Sequence, residues 1–137
     1  MLGKLNRNTR TILILQSLGM FIGTTTHVLW LVNNGFLSEK YNVSFYSKLF
    51  WDSLTFLDPI AAVLLIFKPK LGIWLTAIII VVDVFHNGTL CLRHFYENKF
   101  DLTHWFSSYW MLWSQIAFGL FVMSTFQNNL REIKLNS

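Results

Sequence analysis

The stretch that decides the fold is residues 71–92, LGIWLTAIIIVVDVFHNGTLCL. As a helix it rises ~1.5 Å per residue, so it reaches across the ~30 Å hydrocarbon core of a bilayer. The same stretch sets the functional question, because Asp83, His86 and Asn87 stand together inside it. An aspartate near a helix centre costs ~2.5–3.5 kcal/mol on insertion scales, and each Leu, Ile, Val or Phe returns only ~0.3–0.6. The twelve such residues of 71–92 contribute roughly 5 kcal/mol, which the three polar groups together largely cancel. The segment is therefore expected to insert with its polar stripe turned toward protein, water or a ligand.

Working outward, three more apolar blocks of similar length flank this one, at 11–34, 46–67 and 105–126, and the block itself extends over 71–95. Of 137 residues, 53% are apolar and 13% charged, with a mean hydropathy of +0.44. A soluble domain this small would struggle to hide that much apolar surface. The reading is all-α: a single integral membrane four-helix bundle over residues 1–137, each block one span. The first block follows Lys4, Arg7 and Arg10, as a signal peptide would, but ends in Asn33-Asn34-Gly35 without a small-x-small cleavage site, so it is read as a retained span.

The net charge of +4 points to topology rather than to nucleic acid. Lys4, Arg7, Arg10, Lys68, Lys70, Arg131 and Lys134 fall on one side of the four blocks. Lys40, Lys48, Arg93 and Lys99 fall on the other, mixed with Glu39, Glu97 and Asp101. The richer side is expected to be cytoplasmic, with both termini there. Cys91 is the sole cysteine, so no internal disulfide or CxxC pair exists. Asn42-Val-Ser is a glycosylation sequon in a non-cytoplasmic loop, informative only for a eukaryotic source.

With that orientation the ionisable residues gather in the non-cytoplasmic half. Thr24 and His27 lie in the outer half of span 1, on a face with Gly23, Trp30 and Asn34. Asp52 lies ~9 Å and Asp58 ~18 Å below the outer boundary of span 2. Asp83, His86, Asn87 and His94 form one stripe of span 3, and span 4 opens with His104, Ser107 and Ser108 and carries Gln115 near its middle. The inner halves read as a nearly dry floor, interrupted mainly by Gln16, Ser17 and Thr76. Pro59 follows Asp58 and removes the hydrogen bond to the Thr55 carbonyl, which either kinks span 2 for packing or widens a cavity. Gly19-x-x-x-Gly23 is a close-packing signature.

Aromatic walls with a few converging polar groups describe small-ligand sites in general. Trp30 suits such a wall, Trp110 and Trp113 suit either a wall or an interfacial belt, and Trp105 is read as part of the belt. The expected ligand is a hydrophobic or amphipathic small molecule or lipid. Candidate catalytic residues are His27, Asp52, Asp83 and His86; candidate binding residues are Thr24, Trp30, Asp58, Asn87, Trp110 and Gln115. Carboxyls and imidazoles suit proton relocation, such as moving a double bond. No nucleophile setting, phosphate loop or nucleic-acid signature is present, and no cofactor or metal is expected. Asp83-x-x-His86 has ligand-compatible spacing, but bundle metal sites need a second such motif. The competing class is a small transport or assembly subunit, proton- or metal-linked, whose buried charges are structural. Homodimerisation is left open.

The layout resembles the EXPERA family of emopamil-binding sterol isomerases and sigma-2-receptor-type proteins. The residues that carry the resemblance are His27 in THVLWLVNNG, and Asp52 and Pro59 in LFWDSLTFLDPIAAVLLIF. It implies a sterol-like or isoprenoid-like ligand between the helices and, in the isomerase branch, acid–base roles for Asp52 and His27. Leu31 stands where members of that family often carry an acid, and DVFHNG has no counterpart among its marks.

Overall fold

The computed structural model describes residues 5–98 and 109–136. Four α-helices and one 3-10 turn account for nearly all of them, with no strand among the described residues. The helices are α1 (Arg7–Asn34), α2 (Phe45–Phe67), α3 (Pro69–Asn98) and α4 (Trp110–Leu135). Successive helices pack on one another, and α1 also touches α4, which closes the arrangement.

α1, α2 and α3 are each long and apolar enough to cross a membrane. The block expected at 105–126 begins outside the described residues, as do His104, Trp105, Ser107 and Ser108. Within α4 the polar run Ser124, Thr125, Gln127, Asn128 and Asn129 dilutes the apolar character, and this helix does not reach the same standard over its described length. Large apolar side chains face outward along the helices, among them Ile22, Val32, Phe85 and Leu120. Several polar side chains, among them Gln16, Asp52, Thr76 and Asp83, are buried between the helices.

Local signals explain the helix ends. The Asn6 side chain caps α1 by accepting from the Thr9 N–H at 2.8 Å. α1 stops at Gly35, whose φ of 86° favours glycine. Ser44 caps α2 through the Ser47 N–H. Between α2 and α3 only Lys68 intervenes, and Pro69 then occupies the first helical position, where a missing N–H costs nothing. This hairpin is tight enough that a Cβ at Gly72 would run into the Leu65 backbone.

The core centres on Leu13, Leu54, Ala61, Leu65, Ile73 and Ile133. Both glycines of the Gly19-x-x-x-Gly23 signature sit at close approaches. Gly19 lies against the Phe118 ring of α4, and Gly23 against Asp58 of α2. The inner half holds the polar interruptions expected there, Gln16, Ser17 and Thr76, and Asn129 in addition. Gln16 donates to Thr125 Oγ1 at 2.9 Å, Ser17 donates to the Ala62 carbonyl at 3.0 Å, and Thr76 and Asn129 are completely buried. A polar layer therefore runs through this half as well, because i, i+7 spacing puts Asn129 on the same buried stripe as Val122.

Candidate functional site

α2 supplies the first wall of the site. Asp52, Thr55 and Asp58 are all buried, as their spacing of three suggests for a helix face turned inward. Asp58 is 5% exposed; its Oδ2 would stand 2.9 Å from a Cβ at Gly23, and its Oδ1 has no hydrogen-bond partner. The Thr55 hydroxyl, one turn earlier, is likewise buried and unpaired. Pro59 lies next to both, inside the helix.

α3 supplies the second wall. Asp83, also 5% exposed, accepts from Asn87 Nδ2 at 2.8 Å. The same Asn87 nitrogen donates to Gln115 Oε1 of α4 at 3.1 Å. Asn87 Oδ1 accepts from the Trp51 indole N–H of α2 at 2.8 Å. Asn87 thus joins three helices. Asp58 and Asp83 lie close enough for their charges to interact, and among the described residues neither makes an ion pair with a cation. Two buried carboxyls within electrostatic range of each other are costly unless a proton or a cationic or hydrogen-bond-donating partner balances them.

His86 packs beside this cluster. Its ring lies 4.8 Å from Phe50 and 5.8 Å, edge-on, from Trp51, and its Nε2 is buried without a partner.

Asp52 and His27 form a separate group nearer the α1–α2 loop. Asp52 is 1% exposed, and both its oxygens are occupied. Oδ2 accepts from the Leu37 N–H at 2.6 Å and Oδ1 from the Tyr41 hydroxyl at 2.8 Å. His27 is half-buried on α1, near enough to sense the Asp52 charge. Tyr41 is sandwiched between Trp30, at 4.8 Å, and Trp51, at 5.1 Å. Burial, reinforced by the hydrogen bond to Asp52 and its charge, pushes the Tyr41 phenol above the ordinary tyrosine range. Trp51 therefore belongs to both groups.

The remaining candidates divide. Gln115 joins the network, and Trp30 joins the loop stack. Thr24 bonds its own helix, donating to the Met20 carbonyl at 2.9 Å. Trp110 is 64% exposed and lies on the outer surface of α4. His94, the outer member of the α3 stripe, is exposed and bonded to the Tyr109 hydroxyl. No group of three His, Cys, Asp or Glu side chains gathers as metal ligands among the described residues.

Trp51, Tyr41 and Asn129 were not among the residues that the sequence singled out. Trp51 reads as one more apolar residue of α2, and its role depends on a partner 36 positions away. Tyr41 lies in a loop that a count of depth along the spans passes over.

These features define a class: an all-helical protein with membrane-length helices and a carboxyl–carboxamide cluster between them. No family model, curated protein or solved structure matches the chain.

Proposed function

We propose that this chain is a four-span membrane protein, termini cytoplasmic, that holds an amphipathic or lipid-like small molecule with its polar end at Asp58 and Asp83. One observation carries the reading: two buried carboxyls from adjacent helices stand within electrostatic range of each other, neither in an ion pair among the described residues, and Asp58 Oδ1 has no partner. A ligand presenting an ammonium, hydroxyl or amide donor would supply what the protein leaves out. The outward apolar faces of α1, α2 and α3 support placement of the cluster at membrane depth, and the seven-to-four division of basic residues supports the orientation.

Should the ligand also react, acid–base isomerisation is the chemistry the side chains suit. One double-bond shift needs one proton delivered to carbon and one removed from a neighbouring carbon. Asp58, Asp83 and His86, whose Nε2 has no partner, are better placed for this than Asp52, whose oxygens both serve the loop. A relationship to EXPERA proteins would rest on His27, Asp52 and Pro59, with Asp52 holding the loop through Leu37 and Tyr41.

A second reading, a transport or assembly subunit with structural charges, is favoured by the continuous Trp51–Asn87–Gln115 network. The two separate in one experiment. Protein purified in mild detergent is extracted and its lipids analysed by mass spectrometry, beside Asp58→Asn and Asp83→Asn. Ligand binding predicts a stoichiometric compound in the parent that both variants lose. Folded variants and a parent that all retain only bulk lipid would leave the structural reading standing.

A further inference from the structure

Asn129 is the least expected side chain in the molecule. It is 0% exposed, and both Nδ2 and Oδ1 lack a hydrogen-bond partner. A buried carboxamide left unpaired costs about 1–3 kcal/mol, so such a group calls for a partner. It lines a cleft of about 450 Å³ between the first turn of α1 and the last two turns of α4, which neither Asp58 nor Asp83 lines. This cleft is also lined by Asn8, Arg131 and Glu132.

The electrostatics of the cleft have a sign. The first turn of α1 points its N–H groups here, and carries no acidic residue to balance the helix dipole. The Thr9 N–H goes to the Asn6 side chain and the Arg10 N–H to the Asn6 carbonyl, which leaves those of Arg7 and Asn8 without a partner among the described residues. Arg131 lines the cleft and makes no ion pair among the described residues, and Arg7 and Arg10 stand exposed in the first turns of α1. Glu132 is the one opposing charge. Its Oε1 already accepts from the Asn6 N–H and from Asn136 Nδ2, both at 3.1 Å, so it ties α1 to α4.

We propose that this cleft binds a phosphate-bearing group, held by the Arg131 guanidinium, the α1 N-terminus and the Asn129 amide. Phosphate presents several acceptor oxygens, matching guanidinium, free helix N–H groups and a carboxamide donor. The Asn129 carbonyl takes a phosphate hydroxyl or a headgroup hydroxyl. Ile12 and Leu135 add apolar wall to the same cleft, which suits a phospholipid headgroup whose acyl chains descend beside α1. A soluble phosphate ester would use the same polar groups without that wall.

The test uses the full chain in neutral detergent with two probes, phosphatidic acid followed by native mass spectrometry and inorganic phosphate followed by calorimetry. Phosphatidylcholine serves as the reference lipid. Binding of either probe to the parent, weakened at least tenfold in Arg131→Gln and in Asn129→Leu, supports the site. Retention of phosphatidic acid alone assigns it to a lipid headgroup, and comparable binding of inorganic phosphate assigns it to a free ester. Asn129→Leu has a second readout, since replacing an unpaired buried amide by an apolar group of similar size leaves thermal stability equal or higher. Loss of binding without loss of stability is the signature of a ligand contact. No binding of either probe above phosphatidylcholine, or binding that Arg131→Gln leaves unchanged, overturns the proposal.

Discussion

The indole N–H of Trp51 on α2 donates to the carboxamide oxygen of Asn87 on α3 at 2.8 Å, and that bond joins the two polar groups of the candidate site. On one side Trp51 stacks against Tyr41, which holds Asp52; on the other, Asn87 holds Asp83 and Gln115. Replacing Trp51 by Phe keeps most of the ring but removes the donor. Stability is expected to fall by about 1–2 kcal/mol, because Asn87 Oδ1 loses its partner where water is scarce. Thermal unfolding in detergent measures this, and an unchanged midpoint would mean the bond is dispensable.

Asp52 is expected to matter for the loop rather than for chemistry. Its carboxylate is the anchor for residues 37 and 41, in a loop where Leu37 and Asn42 both have positive φ, which costs about 1–2 kcal/mol per residue. Asp52→Ala removes two charge-assisted bonds worth about 1.5–3 kcal/mol each. Faster hydrogen exchange and new protease sensitivity across residues 35–44 should follow, with the helices intact. Equal protection of that loop in parent and variant would refute the role.

The same latch has a pH dependence of known sign. The Tyr41 phenol donates only when neutral, and its folded-state pKa is raised above the ordinary value near 10. Its stabilising contribution is therefore fully present below the ordinary tyrosine range and is lost only as pH climbs through the higher folded value. An ultraviolet titration should show a late tyrosinate component that Tyr41→Phe abolishes. Disappearance of no late component in that variant would contradict the assignment.

Two glycines on α3 should respond oppositely to alanine. A Cβ at Gly72 meets the Leu65 backbone, which cannot swing aside, so Gly72→Ala should destabilise by at least about 2 kcal/mol. At Gly88 nothing lies within 4 Å, and Gly88→Ala should stabilise by up to about 1 kcal/mol through helix propensity. Thermal unfolding of the pair checks the hairpin geometry directly.

Much of this was legible in the chain. Residues 71–92 announced a membrane-length helix, and the three-residue spacing of Asp52, Thr55 and Asp58 announced one buried face. The i, i+4 relation of Asp83 and Asn87 is a hydrogen bond in the structure. What spacing along single helices does not carry is how helices pair. It grouped His27 and Asp52 with Asp83 and His86, and it carried neither the Trp51–Asn87 bond that links the two groups nor the two loop donors that Asp52 accepts from. It also ended the fourth apolar block at 126, so Asn129 read as part of a polar tail. Its position seven residues after Val122 and four before Ile133 was the available signal, since both of those are buried.

The most direct test of the central claim, that Asp58 and Asp83 jointly hold a ligand's polar end inside the membrane, is an experimental structure of protein purified from its membrane. The account predicts a bound molecule with a polar atom within hydrogen-bond distance of Asp58 Oδ1, beside the Asp83 carboxyl and the Asn87 amide. Asp58 and Asp83 found apart, or closed against protein side chains with no room for a guest, would contradict it.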